Sequence, residues 1–164
     1  MACDGCCLTI VNAKPGKSVA VFEVDVSNET FSRTTLGNWQ VGRRINLERP
    51  LSLGDELGGH LVTGHIDGLA KITGQAQDGD SVRFTLESPA SLARYIAAKG
   101  AVTLDGVSLT VNEVDGKSFG VNIIPYTRAH TTWGDRKPGD LVNLEVDMLA
   151  RYVERIAAMK ANEP

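Results

Sequence analysis

A chain that carries one signal twice is bound to fold into two like units, and this one repeats itself at a nearly constant spacing. The octapeptide DGVSLTVN, Asp105 to Asn112, is answered 101 positions earlier by DGCCLTIV, Asp4 to Val11. ETFSRTTLGNW from Glu29 returns as YTRAHTTWGDR from Tyr126, and VGRRINLE from Val41 as PGDLVNLE from Pro138, both at a separation of 97. Three matches in one order mark an internal duplication. A length of 164 residues leaves room for two small domains of similar fold.

Within the copies the apolar pattern is that of short strands. Cys6 to Val11 and Ser18 to Val24 flank AKPGK as a hairpin, and after a polar stretch Arg44 to Glu48 reads as a further strand. Pro50 to Gly59 is a glycine-rich linker. The second unit opens at His60 with the extended run HLVTGHIDGLAKITG and continues through Val82 to Glu87. A helix is then predicted, capped by Ser88, with Pro89 in its first turn, Leu92, Tyr95 and Ile96 on one face and Gly100 at its end. Ala101–Leu104, Val107–Glu113, Ser118–Ile124 and Leu141–Val146 are predicted strands, the middle pair joined at Asp115-Gly116. Turn signals about every ten residues suit a small barrel.

From Asp147 the period changes, and Leu149, Val153, Ile156 and Met159 fall at helical spacing. That helix has no counterpart in the repeat, and packs either on its own barrel or on its equivalents in other subunits. The copies are also unequal, since about 45 residues separate His60 from Asp105 and three precede Asp4. The first unit is therefore expected to be a barrel without its opening strands, in a chain whose natural start lies further upstream.

Composition narrows the function. With 42% hydrophobic and 23% charged residues the chain reads as a soluble globular protein, and a net charge of −3 with pI near 5.6 leaves no basic footprint for nucleic acid. No run of about 18 apolar residues exists to span a bilayer, and Met1 to Thr9 lacks the basic start and apolar middle of a signal peptide, so a cytoplasmic protein is expected. Cys3, Cys6 and Cys7 form an odd cluster unsuited to a disulfide framework, and zinc would need a further ligand, so no metal is expected.

The segments DGCCLT, GGHLVTGHI, Lys99-Gly100, DGVSLT and the two Thr-Thr-x-Gly stretches, in this order, resemble the riboflavin synthase family (alpha-chain type) with its lumazine-binding domain. The resemblance runs from Asp4 to the last helix. It implies an all-β fold of two tandem Greek-key β-barrels, over residues 1–53 and 54–147, and a C-terminal oligomerisation helix over 148–164. It implies a homotrimer, with lumazine synthase as a further candidate partner, and no cofactor. The reaction implied is a dismutation, in which two molecules of 6,7-dimethyl-8-ribityllumazine give riboflavin and 5-amino-6-(ribitylamino)uracil at a site between the first barrel of one subunit and the second barrel of its neighbour. A non-catalytic lumazine or flavin carrier is the alternative. The family's N-terminal Phe-Thr-Gly signature is echoed here only at Val62 to Gly64, and its opening strand is absent, as is a polar residue ahead of the first motif.

The candidate site residues follow the two motifs. Cys7 and Thr9 share a face with Leu8 between them, and a thiol there either adds to a bound ring, holds a water, or fills a core gap. Ser108 and Thr110, around Leu109, are their equivalents, with hydroxyls suited to ring or ribityl oxygens. His60 and His65, the latter between Gly64 and Ile66, are candidate bases for the ring-methyl proton, although five residues apart on a strand they would face opposite ways. The resemblance sends Lys99 to a neighbouring chain's ligand, where its default is a solvated helix-end charge. Asp105 is carried as a site residue and Asp4 as structural, while Asp147 suits either a helix cap or the site. The loops Asp25, Val26, Ser27, Asn28, Glu29, Thr30 and Ile124, Pro125, Tyr126, Thr127, Arg128, Ala129 are expected to line the two pockets.

Overall fold

The structure is a computed structural model that describes residues 1–17 and 19–160. The second unit is a closed six-stranded barrel built from β6 (Gly68–Asp78), β7 (Ser81–Glu87), β8 (Ala101–Leu104), β9 (Val107–Asp115), β10 (Ser118–Ile123) and β11 (Leu141–Val146), in the spatial order β10-β7-β6-β11-β8-β9. Alternation drives it: Val82, Phe84 and Leu86 on β7 and Phe119, Val121 and Ile123 on β10 all point inward and are buried. Trp133 closes one end with no exposed surface, its ring edge-on to Phe84 at 5.0 Å between centroids. Closure leaves this unit without a free sheet edge.

The first unit is built differently. β1 (Ala2–Cys3) pairs with β2 (Cys6–Cys7) and β5 (Leu47–Glu48) in a three-stranded sheet, and β3 (Ile10–Lys14) pairs with β4 (Val21–Val24) in a separate hairpin. Its core is a small cluster of Cys3, Cys6, Leu8 and Leu36, with Phe22, Val24, Val26, Trp39 and Ile66 half-buried around it. The strand expected over Arg44–Glu48 is therefore only its last two residues, and the strand expected from Ser18 begins at Val21, with residue 18 outside the described residues.

Both copies contain the same helical corner, where the sequence reading expected loops. α1 (Asn28–Arg33) runs into a 3₁₀ turn at Thr35–Asn38, and α2 (Pro125–His130), at the same 97-residue offset, into one at Thr132–Gly134. The Thr-Thr repeat explains the corner. The Thr34 hydroxyl donates to Thr30 O at 2.7 Å and accepts from Leu36 N, while the Thr131 hydroxyl donates to Thr127 O at 2.7 Å and accepts from Trp133 N. The glycine two residues further on is required for close approach, since a Cβ on Gly134 would lie 2.6 Å from Arg128 O.

The two units meet about an internal two-fold. Asp4-Gly5 and Asp105-Gly106 are left-handed turns placed back to back, close enough that a Cβ on Gly5 would fall 2.6 Å from Gly106 N. Asn46 Nδ2 donates to Asp105 O at 2.9 Å and its Oδ1 accepts from Thr132 N; Asn143 Nδ2 donates to Asp4 O at 2.8 Å and its Oδ1 accepts from Thr35 N. Each asparagine also donates its backbone N–H to the aspartate of its own copy. The repeated INLE and VNLE segments thus supply the seam, and β11, buried on both faces, is its backbone.

The helix expected over Ser88–Gly100 is instead a single 3₁₀ turn at Ala93–Tyr95. Ile96 leaves it in an extended conformation to enter the barrel core, and Lys99, at φ 66, donates its N–H to Val111 O. One turn and a full helix bring Leu92, Tyr95 and Ile96 together equally well, so the pattern could not separate them. The run from His60 is likewise no strand until Gly68. α3 (Met148–Lys160) forms as expected, with Leu149 N donating to Asp147 Oδ1. None of its described residues is buried, and it touches the barrel through Arg151–Asp67 at 2.8 Å and Arg94–Glu154 at 2.8 Å. Among the described residues no helix is long and apolar enough to cross a membrane.

Candidate functional site

The two repeated strands present their motif side chains outward. Cys7 and Thr9 are exposed with Leu8 buried between them, and Ser108 and Thr110 are exposed on β9. Of the three thiols Cys7 alone is exposed; burial pushes the other two up, Cys6 to about 11, leaving them inert core groups.

A strap over residues 60–66, with no regular secondary structure, links the two strands. At one end the His60 ring lies between hydroxyls, Nδ1 2.7 Å from Ser108 Oγ and Nε2 3.1 Å from Thr103 Oγ1. In its middle the Glu145 carboxylate, 3% exposed, accepts from Thr63 N at 2.8 Å, Thr63 Oγ1 at 2.6 Å and Gly64 N at 3.0 Å. At the other end Gly64 O accepts from Cys7 N at 2.8 Å, and Ile66 packs on the first unit's core. Gly64 stands at φ 76, and a Cβ there would fall 2.6 Å from Cys7 Cβ, so only glycine fits. Two openings flank the strap. A cavity of about 540 Å³ lies between the units, lined by Asn46, Glu48, His60, Val62, Ser108 and Thr132 among others, and a smaller one of about 230 Å³ lies beside Cys7, Glu48 and Gly64.

The sequence-predicted residues divide accordingly. Cys7, Gly64, His60 and Ser108 are brought together by the strap, and His65 follows on it, exposed. The opposite-faces argument for the two histidines does not apply, because the strap is not a strand. Asp105, expected at the site, lies on the seam. It is fully buried, with Oδ1 accepting from Asn143 N at 2.8 Å and Oδ2 from Arg136 at 2.5 Å, so both oxygens are engaged away from either cavity. Asp4 lies beside it, its Oδ2 3.5 Å from Arg43 and 3.8 Å from Arg136. Burial pushes both carboxyls up, Asp105 to about 7, against the pull of Arg136.

Lys99 is exposed in a left-handed turn ahead of β8 rather than at a helix end, and Asp147 caps α3. Of the two supposed loops, Ser27 caps α1 by accepting from Thr30 N, Glu29 pairs with Arg33, and Tyr126 stacks on His130 at 3.9 Å between centroids. Among the described residues no group of three or more His, Cys, Asp or Glu could hold a metal ion. Sequence reasoning missed Asn46, Asn143 and Glu145, although the repeated -NLE- segment that carries them was the available signal.

Comparison with known proteins agrees with this architecture. Residues 1–50 and 63–147 match the family of the Lumazine binding domain. The chain is 53% identical over 158 residues to a riboflavin synthase of Brucella abortus, covering 96% of this chain and 78% of that one. It is 42% identical over 156 residues to the riboflavin synthase of Photobacterium phosphoreum, covering 95% and 70%. The crystal structure of LumP complexed with 6,7-dimethyl-8-(1'-D-ribityl) lumazine shares the fold with a TM-score of 0.75 at 25% identity, over 89% of this chain and 76% of that one. A duplicated Asp-Gly-x-x-Leu-Thr strand, a strap between its copies and relatives of this identity agree: the chain belongs to the riboflavin synthase family of lumazine-binding proteins.

Proposed function

We propose that the chain catalyses the riboflavin synthase reaction as a cytoplasmic homotrimer, with a first ligand-binding unit over residues 1–53, a second over 54–147 and α3 as its assembly helix, residues 161–164 of the expected span lying outside the described residues. Two molecules of 6,7-dimethyl-8-ribityllumazine exchange a four-carbon unit, so that one becomes riboflavin and the other 5-amino-6-(ribitylamino)uracil. The observation that carries this reading is the internal duplication, which exposes Cys7 and Thr9 at the first motif, where β2 ends, and Ser108 and Thr110 at the second, on β9. A reaction that consumes two copies of one ligand needs two like cradles with unlike electronics, held face to face. The thiol marks one cradle and the hydroxyl the other.

In this reading Cys7 adds to the lumazine of the first unit or holds the water that does. His65 or His60 takes the ring-methyl proton, an imidazole nitrogen being a fit general base for a carbon acid. Ser108 and Thr110 hold the second ligand, and backbone groups of residues 25–30 and 124–129 bind the two pyrimidine edges. Lys99, exposed, reaches the ligand of a neighbouring subunit, and Asp147 stands close to that interface. The outward presentation of both motif strands supports a site completed by a second subunit.

The test is to incubate the purified chain with the lumazine alone. Riboflavin absorbance should appear with half-stoichiometric yield. Quenching of lumazine fluorescence without riboflavin would instead identify a carrier. The double change Ser108→Ala with Thr110→Val should weaken lumazine binding about tenfold or more, through loss of two hydroxyl partners; unaltered affinity would misplace the second cradle.

A further inference from the structure

Glu145 has no place in the proposed chemistry, yet it is a buried carboxylate whose hydrogen bonds all go to one short segment. It stands on β11, 3% exposed, and its two oxygens take three donors, Thr63 N, Thr63 Oγ1 and Gly64 N, at 2.6 to 3.0 Å. A carboxylate is removed from water at considerable cost, and here the compensation is spent wholly on the strap. That strap is held at three points. Its outer points are the two candidate ligand strands, through His60 to Ser108 and through Gly64 O to Cys7 N, and its middle point is Glu145. β11 is also the strand whose Asn143 locks the seam, so the carboxylate is mounted on a buried strand hydrogen-bonded to both units.

We infer that Glu145 is a positioning residue for the reaction, whose carboxylate fixes the strap that sets His60, Gly64 and His65 against the strands bearing Cys7 and Ser108. The inference rests on the functional reading above for its consequence in turnover, but the placement itself is independent of it. Glutamine at this position keeps the shape and turns one acceptor into a donor facing another N–H. Aspartate keeps the charge and shortens the reach by one methylene. Either change leaves the barrel core untouched, since Glu145 lies on the outer face of β11, opposite Leu144 and Val146.

The experiment compares the full wild-type chain with Glu145→Gln by residue-resolved amide exchange and by steady-state kinetics. The Thr63 and Gly64 amides should exchange about tenfold faster or more in the variant, while the amides of Val121 and Val142 keep their protection. kcat for riboflavin formation should fall about tenfold or more, with KM within about threefold, as expected when a catalytic group is displaced without loss of binding. Unchanged exchange at Thr63 and Gly64, or a rise in KM with kcat preserved, would overturn the inference. Should Glu145→Gln fail to fold, Thr63→Val removes one donor from an exposed position, and the same two readouts apply to it with the same outcomes. Failure of the wild-type chain to form riboflavin would tell against the functional reading, and the exchange measurement would still decide the placement.

Discussion

At the scale of single residues, the buried pair Asp4 and Asp105 dictates a measurable pH response. Burial raises the folded-state carboxyl of Asp105 to about 7, and the charge of Asp4 adds to the rise. In the unfolded chain the same carboxyl titrates near its ordinary value of about 4. Between those limits the native state keeps a proton that the unfolded chain has released, so stability falls as pH rises from about 4 to about 7 and then levels. Asp4→Asn removes the neighbouring negative charge and should flatten this slope. Urea unfolding at pH 5 and pH 8 should show the variant recovering on the order of 1 kcal/mol relative to wild type at the higher pH; parallel pH dependences would mean that the two carboxyls do not interact. Sequence reading carried Asp105 as a site residue and Asp4 as structural, and both stand in the left-handed turns that an Asp-Gly pair suits. That they face one another across a seam is a long-range fact that no local pattern carries.

At the scale of elements, the most legible was α3. Its apolar positions recur at three and four residues, and it forms where expected with Asp147 as its cap. Its stripe of Leu149, Val153, Ile156 and Met159 is nonetheless exposed, while Arg151 and Glu154 tie the helix to Asp67 and Arg94. A stripe of this kind calls for a partner surface. If α3 holds the proposed trimer together, Ile156→Glu should give monomers by light scattering while the far-ultraviolet spectrum of the barrel stays as in wild type. A wild-type chain that is already monomeric would remove the helix from the assembly. The least legible elements were the short ones. The turn at Ala93–Tyr95 and the corners α1 and α2 are settled by what they cap and cover. Six residues or fewer give no periodicity to read.

At the scale of the whole molecule the seam couples the copies. Asn46 and Asn143 each bridge to the other copy's Asp-Gly turn and to its threonine corner. Replacing either by Ala should cost about 2 kcal/mol, from two hydrogen bonds whose partners are left in a buried site. The double variant should lose less than the sum by about 0.5 kcal/mol or more, because the second change acts on a seam already opened. Strict additivity in chemical denaturation would show that the two bridges act independently. The sequence by itself determined that there are two related units, that they are built of strands, which strand carries the paired motifs, and that a helix ends the chain; these follow from repetition and from periods of two and 3.6 residues, which are local properties. Tertiary structure alone decided that the first unit divides into a three-stranded sheet and a separate hairpin, that Asp105 belongs to the seam, and that Glu145 holds the strap. Those outcomes depend on which surfaces meet across distant parts of the chain, and a hydrogen bond such as Asn143 to Asp4, 139 residues apart, leaves no trace in the spacing of either neighbourhood.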